Sequence, residues 1–131
     1  MGYTTDFEGV FEVSPAMSDD LYNRLYDLQN TRNCAGSLET GGYNTVDRSG
    51  GKPDSLWCDW TPTADRCGIE WNGTENFYEY VEWLQYIINA HLVPNGHTLS
   101  GVVRFRGEDE NDVGVLTVEN NVVHKEMWGA K

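Results

Sequence analysis

The chain has 131 residues and a formal charge of −12, with twenty-one acidic side chains against nine basic ones. Such a field repels nucleic-acid phosphates and anionic membranes and attracts basic partners. Five Trp, seven Tyr and four Phe exclude a purely solvated acidic tail, because each buried ring removes ~150–250 Å² from water.

The length suits a single domain over residues 1–131. No run approaches the ~18–20 apolar residues of a membrane helix, and the first residues lack the basic and apolar regions of a signal peptide. Gly2 does not fit the myristoylation pattern, since Asp6 stands where Ser or Thr is required. Cys34, Cys58 and Cys67 form no Cys-x-x-Cys pair and read as reduced thiols of a cytoplasmic protein. Cys58 and Cys67 are placed to face each other across a hairpin, either bridged or as two packed thiols. No ligand spacing joins the cysteines to His91, His97 or His124 as a zinc site. Asn72-Gly73-Thr74, with no secretory signal, is a chance glycosylation match. Neither a metal nor a cofactor is expected.

Phe7, Gly9, Phe11 and Val13 alternate with Glu8, Val10 and Glu12, the period of a half-buried strand that Pro15 ends. Ser18 caps a helix of about three turns, with Asp19 and Asp20 at its dipole and Leu21, Leu25 and Leu28 on one face. Residues 33–54 lose all periodicity and contain five glycines. They read as a Gly-rich surface loop longer than compact domains usually hold, of the kind that is functional or disordered.

Leu56, Cys58 and Trp60 share one face of a further strand, and residues 67–71 return as its hairpin partner. Thr74 is a candidate cap for the second helix, whose apolar face is Phe77, Val81, Leu84, Ile88 and His91, with Glu82 opposite. His91 reads as a core-edge histidine. Leu99, Gly101, Val103 and Phe105 form the next inward face; strands over 113–118 and 122–127 follow, joined by an Asn120-Asn121 turn. The segments 7–13 and 99–105 share an apolar-x-Gly-Val-apolar-charged-apolar pattern, and Glu8 and Glu12 complement Arg104 and Arg106. These two strands are therefore expected side by side. The fold class is α+β: a mostly antiparallel sheet of about six strands with two helices on one face, in the order β-α-β-β-α-β-β-β.

The densest acidic run is residues 107–114. Glu108, Glu110, Asp112 and Glu119 match four calcium-loop positions, but Val113 stands where the loop needs Gly. A charged turn facing a partner is the better reading. No nucleophile elbow, phosphate loop or His-Glu-x-x-His occurs. Glu70 beside Trp71 is a possible general acid, although an exposed strand glutamate is the plainer reading. Tyr22, Tyr26, Tyr78 and Tyr86 would stack bases, were the charge not repulsive to phosphate.

The stretches at residues 1–7 (Met-Gly-Tyr-Thr-Thr-Asp-Phe) and 56–60 (Leu-Trp-Cys-Asp-Trp), Trp71 with residues 77–84, and Gly107-Glu108-Asp109 with Asp112, Gly114, Val118, Asn120 and Val122 resemble small uncharacterised accessory proteins of phages, prophages and related mobile elements. The resemblance carries no activity and no site residue. It implies a small accessory product acting in a bacterial cytoplasm.

Together these features predict a non-enzymatic interaction protein that blocks a host nucleic-acid-handling or defence protein, anti-CRISPR-like in kind, by occupying its basic surface. It should bind neither nucleic acid nor membrane directly. Candidate contacts are Glu108, Asp109, Glu110, Asp112, Tyr43, Asp19, Asp20 and Glu82. The alternatives are a virion accessory protein, or a nucleotide or metabolite binder whose pocket lies between Trp57, Trp60 and Trp71 and the second helix.

Overall fold

A computed structural model describes residues 3–30, 57–75 and 77–128. Tyr43 and the whole Gly-rich segment 33–54 fall outside them. The described chain is α+β, with two helices and a seven-stranded antiparallel sheet. The strands are β1 (Asp6–Glu8), β2 (Phe11–Ser14), β3 (Trp60–Pro62), β4 (Gly68–Trp71), β5 (Thr98–Arg106), β6 (Val113–Glu119) and β7 (Val122–Met127). They run in the order β3-β4-β2-β5-β6-β7, with β1 also paired to β5.

The expected first strand is divided in two. β1 and β2 keep one register against β5: Glu8 lies opposite Arg104 and Glu12 opposite Ser100, so the strand continues in line across the gap. The interruption falls where Gly9 and Gly101 both take positive φ, at 126° and 132°. A Cβ on Gly9 would sit 3.1 Å from the Val102 carbonyl, and one on Gly101 3.3 Å from Phe11 Cα. The shared Gly-Val pattern thus marks the point where the two backbones come closest. The expected placement of 7–13 beside 99–105 holds. Arg104 faces Glu8, while Arg106 faces Asp6 instead of Glu12.

Helix α1 (Asp19–Gln29) starts as expected, with the Ser18 hydroxyl accepting from Leu21 N–H and Leu21 and Leu25 buried. Helix α2 (Tyr80–Ile87) starts five residues later than a cap at Thr74 suggested. Asn72 Oδ1 takes the Thr74 N–H, and Thr74 O takes the Trp71 indole N–H. Glu79 is left-handed at φ 57°. Phe77 is buried all the same, because it packs edge-on against Phe7 and Trp60 from an irregular segment.

A π-helical turn over Ile88–Leu92 follows α2. Its wider turn rotates the apolar stripe, so Ile88 and Leu92 are fully buried while His91 is only half-buried. Trp83, absent from the expected face, is buried as well. The expected 56–60 strand is shorter than predicted, pairing only from Trp60. The β6–β7 turn is as expected, with Asn120 and Asn121 at φ 55° and 64°. Leu21 and Leu25 of α1 and Trp83, Leu84 and Ile87 of α2 join Phe11, Val13, Leu99, Val103, Phe105, Leu116 and Val118 in one core, so both helices cover the same sheet face.

Candidate functional site

The β5–β6 turn carries the acidic run, and the first described residues of the chain fasten it. Tyr3 donates its hydroxyl to Asp112 Oδ2 at 2.7 Å and accepts the Asp109 N–H at 3.0 Å. Thr4 N–H donates to Glu108 Oε2 at 2.7 Å. Within the turn, Asp109 Oδ1 takes the Asn111 N–H at 2.8 Å, and Gly107 N–H bonds Asp112 O. The Asp112 carboxylate in turn holds the Tyr3 phenol above its ordinary pKa. Glu108, Asp109 and Glu110 remain exposed, and Asp112 is half-buried. The tip is therefore a set of four carboxylates whose backbone is fixed and whose remaining acceptor positions face water. Glu119 lies at the other end of β6, opposite Val122, roughly 20 Å along an extended strand from the turn, and cannot close a calcium loop.

The other predicted contacts are dispersed. Asp19 pairs with Arg66 at 2.8 Å and Asp20 with Arg24 at 2.5 Å, so both carboxylates already have local cations. Glu82 is exposed on α2. Tyr22 and Tyr26 stack on α1, Tyr86 packs against Trp83 and Tyr78 accepts the Tyr3 N–H; the four tyrosines form no single platform. Glu70 is half-exposed on the outer side of β4, opposite Thr61.

The three tryptophans proposed as a pocket have three different environments. Trp60 is 1% exposed, and its indole N–H donates to Tyr80 O at 2.8 Å. Trp71 is half-buried against Phe7. The space between the hairpin and α2 is filled by Phe7, Trp60, Phe77 and Tyr80; rings occupy the volume that a ligand would need. Only Trp57 is open, at 45% exposure. It lines a cavity of about 360 Å³ on the α1 side with Gln29, Asn30, Asp59, Asn72 and Thr74.

Asp59, which the sequence did not single out, is 3% exposed. Burial pushes its carboxyl from 3.8 up to about 6, and a hydrogen bond from the Asn72 side chain opposes that rise. Its surroundings are fixed by an amide relay. Gln29 Nε2 donates to Thr61 Oγ1 at 2.6 Å, Asn72 Nδ2 donates to Gln29 Oε1 at 2.8 Å, and Asn72 N–H bonds Asp59 O. Neighbouring Cys58 is buried, its thiol pushed up to about 12, and Cys67 is exposed; both are free.

A second cleft, of about 370 Å³, lies over the outer face of β1, β5 and β6, where Trp128 flanks Arg104 and Arg106. Asp6 and Glu8 stand directly across from the two arginines, so the cleft is locally balanced in charge. Among the described residues, no three His, Cys, Asp or Glu side chains gather as a metal site, and no helix is long and apolar enough to cross a membrane. Comparison with family models, with curated proteins and with solved structures finds no match to the chain.

Proposed function

We propose that the chain is a non-catalytic binding protein that docks its β5–β6 tip onto a basic surface of a partner protein. The observation carrying this reading is the fastening of Glu108, Asp109 and Asp112 by Tyr3, Thr4 and the turn backbone. Carboxylates held in place before contact lose little entropy on binding, and a net charge of −12 accelerates encounter with a cationic surface. With the phage-type resemblance, the partner is a host nucleic-acid-handling or defence protein in the bacterial cytoplasm, whose groove for phosphates the tip would fill.

The test is affinity capture from a bacterial lysate, repeated with the combined variant Glu108→Gln, Asp109→Asn, Glu110→Gln, Asp112→Asn. The amides keep acceptor oxygens for Tyr3, Thr4 and Asn111 while removing the charge. The expected result is a basic partner that elutes as salt rises and associates at least tenfold more slowly with the variant. Equal association rates for the two proteins would refute the electrostatic reading.

A further inference from the structure

We propose that the cavity between the end of α1 and the β3–β4 hairpin is a receptor for a guanidinium group, with Asp59 as its counter-ion and Trp57 as its stacking face. Four observations converge on a planar cation.

First, Asp59 is an acidic residue more than nine-tenths buried that lines the cavity. Second, every other described lining side chain is neutral: Gln29, Asn30, Trp57, Asn72 and Thr74. Among the described residues, an anionic ligand would meet a carboxylate and no cation, which favours a cationic occupant. Third, Gln29 and Asn30 place the C-terminal end of α1 at the cavity wall, and the last turn of that helix carries no basic residue. A cationic ligand at this wall would meet the negative end of the helix dipole. Fourth, Trp57 is exposed and lines the same cavity as Asp59, and an indole face is the preferred aromatic partner of a guanidinium.

Guanidinium suits this arrangement better than ammonium, because its planar fork meets a carboxylate with two parallel hydrogen bonds while its face stacks on a ring. The cavity volume of about 360 Å³ lies at the lower end of the range for small-ligand pockets. That size fits one side chain rather than a large metabolite. The natural occupant is then an arginine of the basic partner; this assignment of the source rests on the proposed function, whereas the cation preference of the cavity does not.

Among the described lining residues Asp59 is the titrating group. Its neighbour Cys58 stays neutral because its thiol is pushed up to about 12. With the Asp59 carboxyl held near 6, the ionised fraction falls roughly 30-fold between pH 7.5 and pH 4.5, and guanidinium affinity must fall with it.

The test is calorimetric titration of the full chain with N-acetyl-arginine methylamide, and with its neutral isostere N-acetyl-citrulline methylamide. Saturable binding of the arginine compound at pH 7.5, at least tenfold weaker at pH 4.5, is expected, with no saturable binding of the citrulline compound. Trp57→Ala should weaken binding several-fold. Asp59→Asn should abolish it in a protein whose thermal transition shows it still folded. Equal binding of the two compounds, or undiminished binding to Asp59→Asn, would overturn the proposal. The tip variant should bind the arginine compound normally. Arginine binding without partner capture would therefore leave the cavity standing and remove the docking reading, and capture without arginine binding would do the reverse.

Discussion

Asp59→Asn should stabilise the protein at neutral pH and change it little in acid. The carboxyl is pushed from 3.8 to about 6 in the folded chain, so the folded state holds its proton more tightly than the unfolded chain does. Between these two values folding takes up a proton. The stability from the protonated form is fully present below pH 3.8 and is lost as pH rises through 6. At about 1.4 kcal/mol per unit, a displacement of this size corresponds to ~3 kcal/mol of stability forgone at pH 7.5. An amide is neutral at every pH and can still accept from Asn72, so the variant avoids that loss. For a chain of this length ~3 kcal/mol corresponds to a melting temperature roughly 10 °C higher. Urea denaturation of both proteins at pH 4 and pH 7.5 isolates the effect, because the other carboxylates are common to the pair. A stability difference that stays constant across this range, or a variant less stable at pH 7.5, would refute the assignment of a destabilising buried carboxylate.

Four further outcomes follow from the packing. Tyr3→Phe removes one donor and one acceptor from the tip and should cost ~1–2 kcal/mol in denaturation, with faster hydrogen exchange at the Asp109 amide. Gly101→Ala forces a side chain onto φ 132° against Phe11 and should cost ~1–3 kcal/mol by thermal unfolding. Leu84→Ala, at a fully buried position, should cost ~2–5 kcal/mol, while Glu82→Ala on the exposed side stays within ~0.5 kcal/mol; equal losses would mean a wrong helix phase. Iodoacetamide followed by mass mapping should modify Cys67 at native pH and leave Cys58 untouched, since the Cys58 thiol is buried and pushed up to about 12.

Much of the fold was readable because it rests on local chemistry. The alternation over Leu99, Val103 and Phe105, the Ser18 cap and the Asn120-Asn121 turn each depend on residues adjacent in sequence. The errors arose where distant packing overrides local pattern. Phe77 carries helical spacing from Val81 and Leu84 yet is held outside the helix by Phe7 and Trp60, residues far away in sequence. The π-turn that exchanges His91 for Leu92 leaves no mark in composition. The Asp59 cavity was equally hidden. Its walls come from the end of one helix, the entry to a hairpin and the exit from it, and only the fold makes Gln29, Asp59 and Asn72 neighbours. Sequence proximity to an indole drew attention to Glu70, whereas the carboxyl that burial pushes up is Asp59. Acidity at residues 108–112 was plain in the sequence, but its fastening by Tyr3 and Thr4 spans more than a hundred positions.

The two proposed contact regions have different physical ranges, and this gives them different tasks. Screened over a Debye length of ~8 Å at physiological salt, the tip carboxylates of the proposed interface would attract a cationic surface before contact and set the rate of encounter. They are poor at holding it, because exposed ion pairs contribute only ~0–1 kcal/mol each. Residence needs a desolvated anchor, and interface anchors are typically Trp, Tyr and Arg seated in pockets. Trp57 beside Asp59 has that character, and Asp59 gains more from a cation than an exposed carboxylate does, because ionisation in the buried site is costly until a counter-charge arrives. The connection between β4 and α2 ties the regions together. Asn72 and Thr74 line the cavity, and Tyr78 bonds the Tyr3 backbone that leads into the tip. A partner drawn in by the tip and held at the cavity would use the charge for speed and the indole with its buried carboxylate for lifetime. On this division of labour, the destabilising Asp59 is the cost in stability of a prepared anchor.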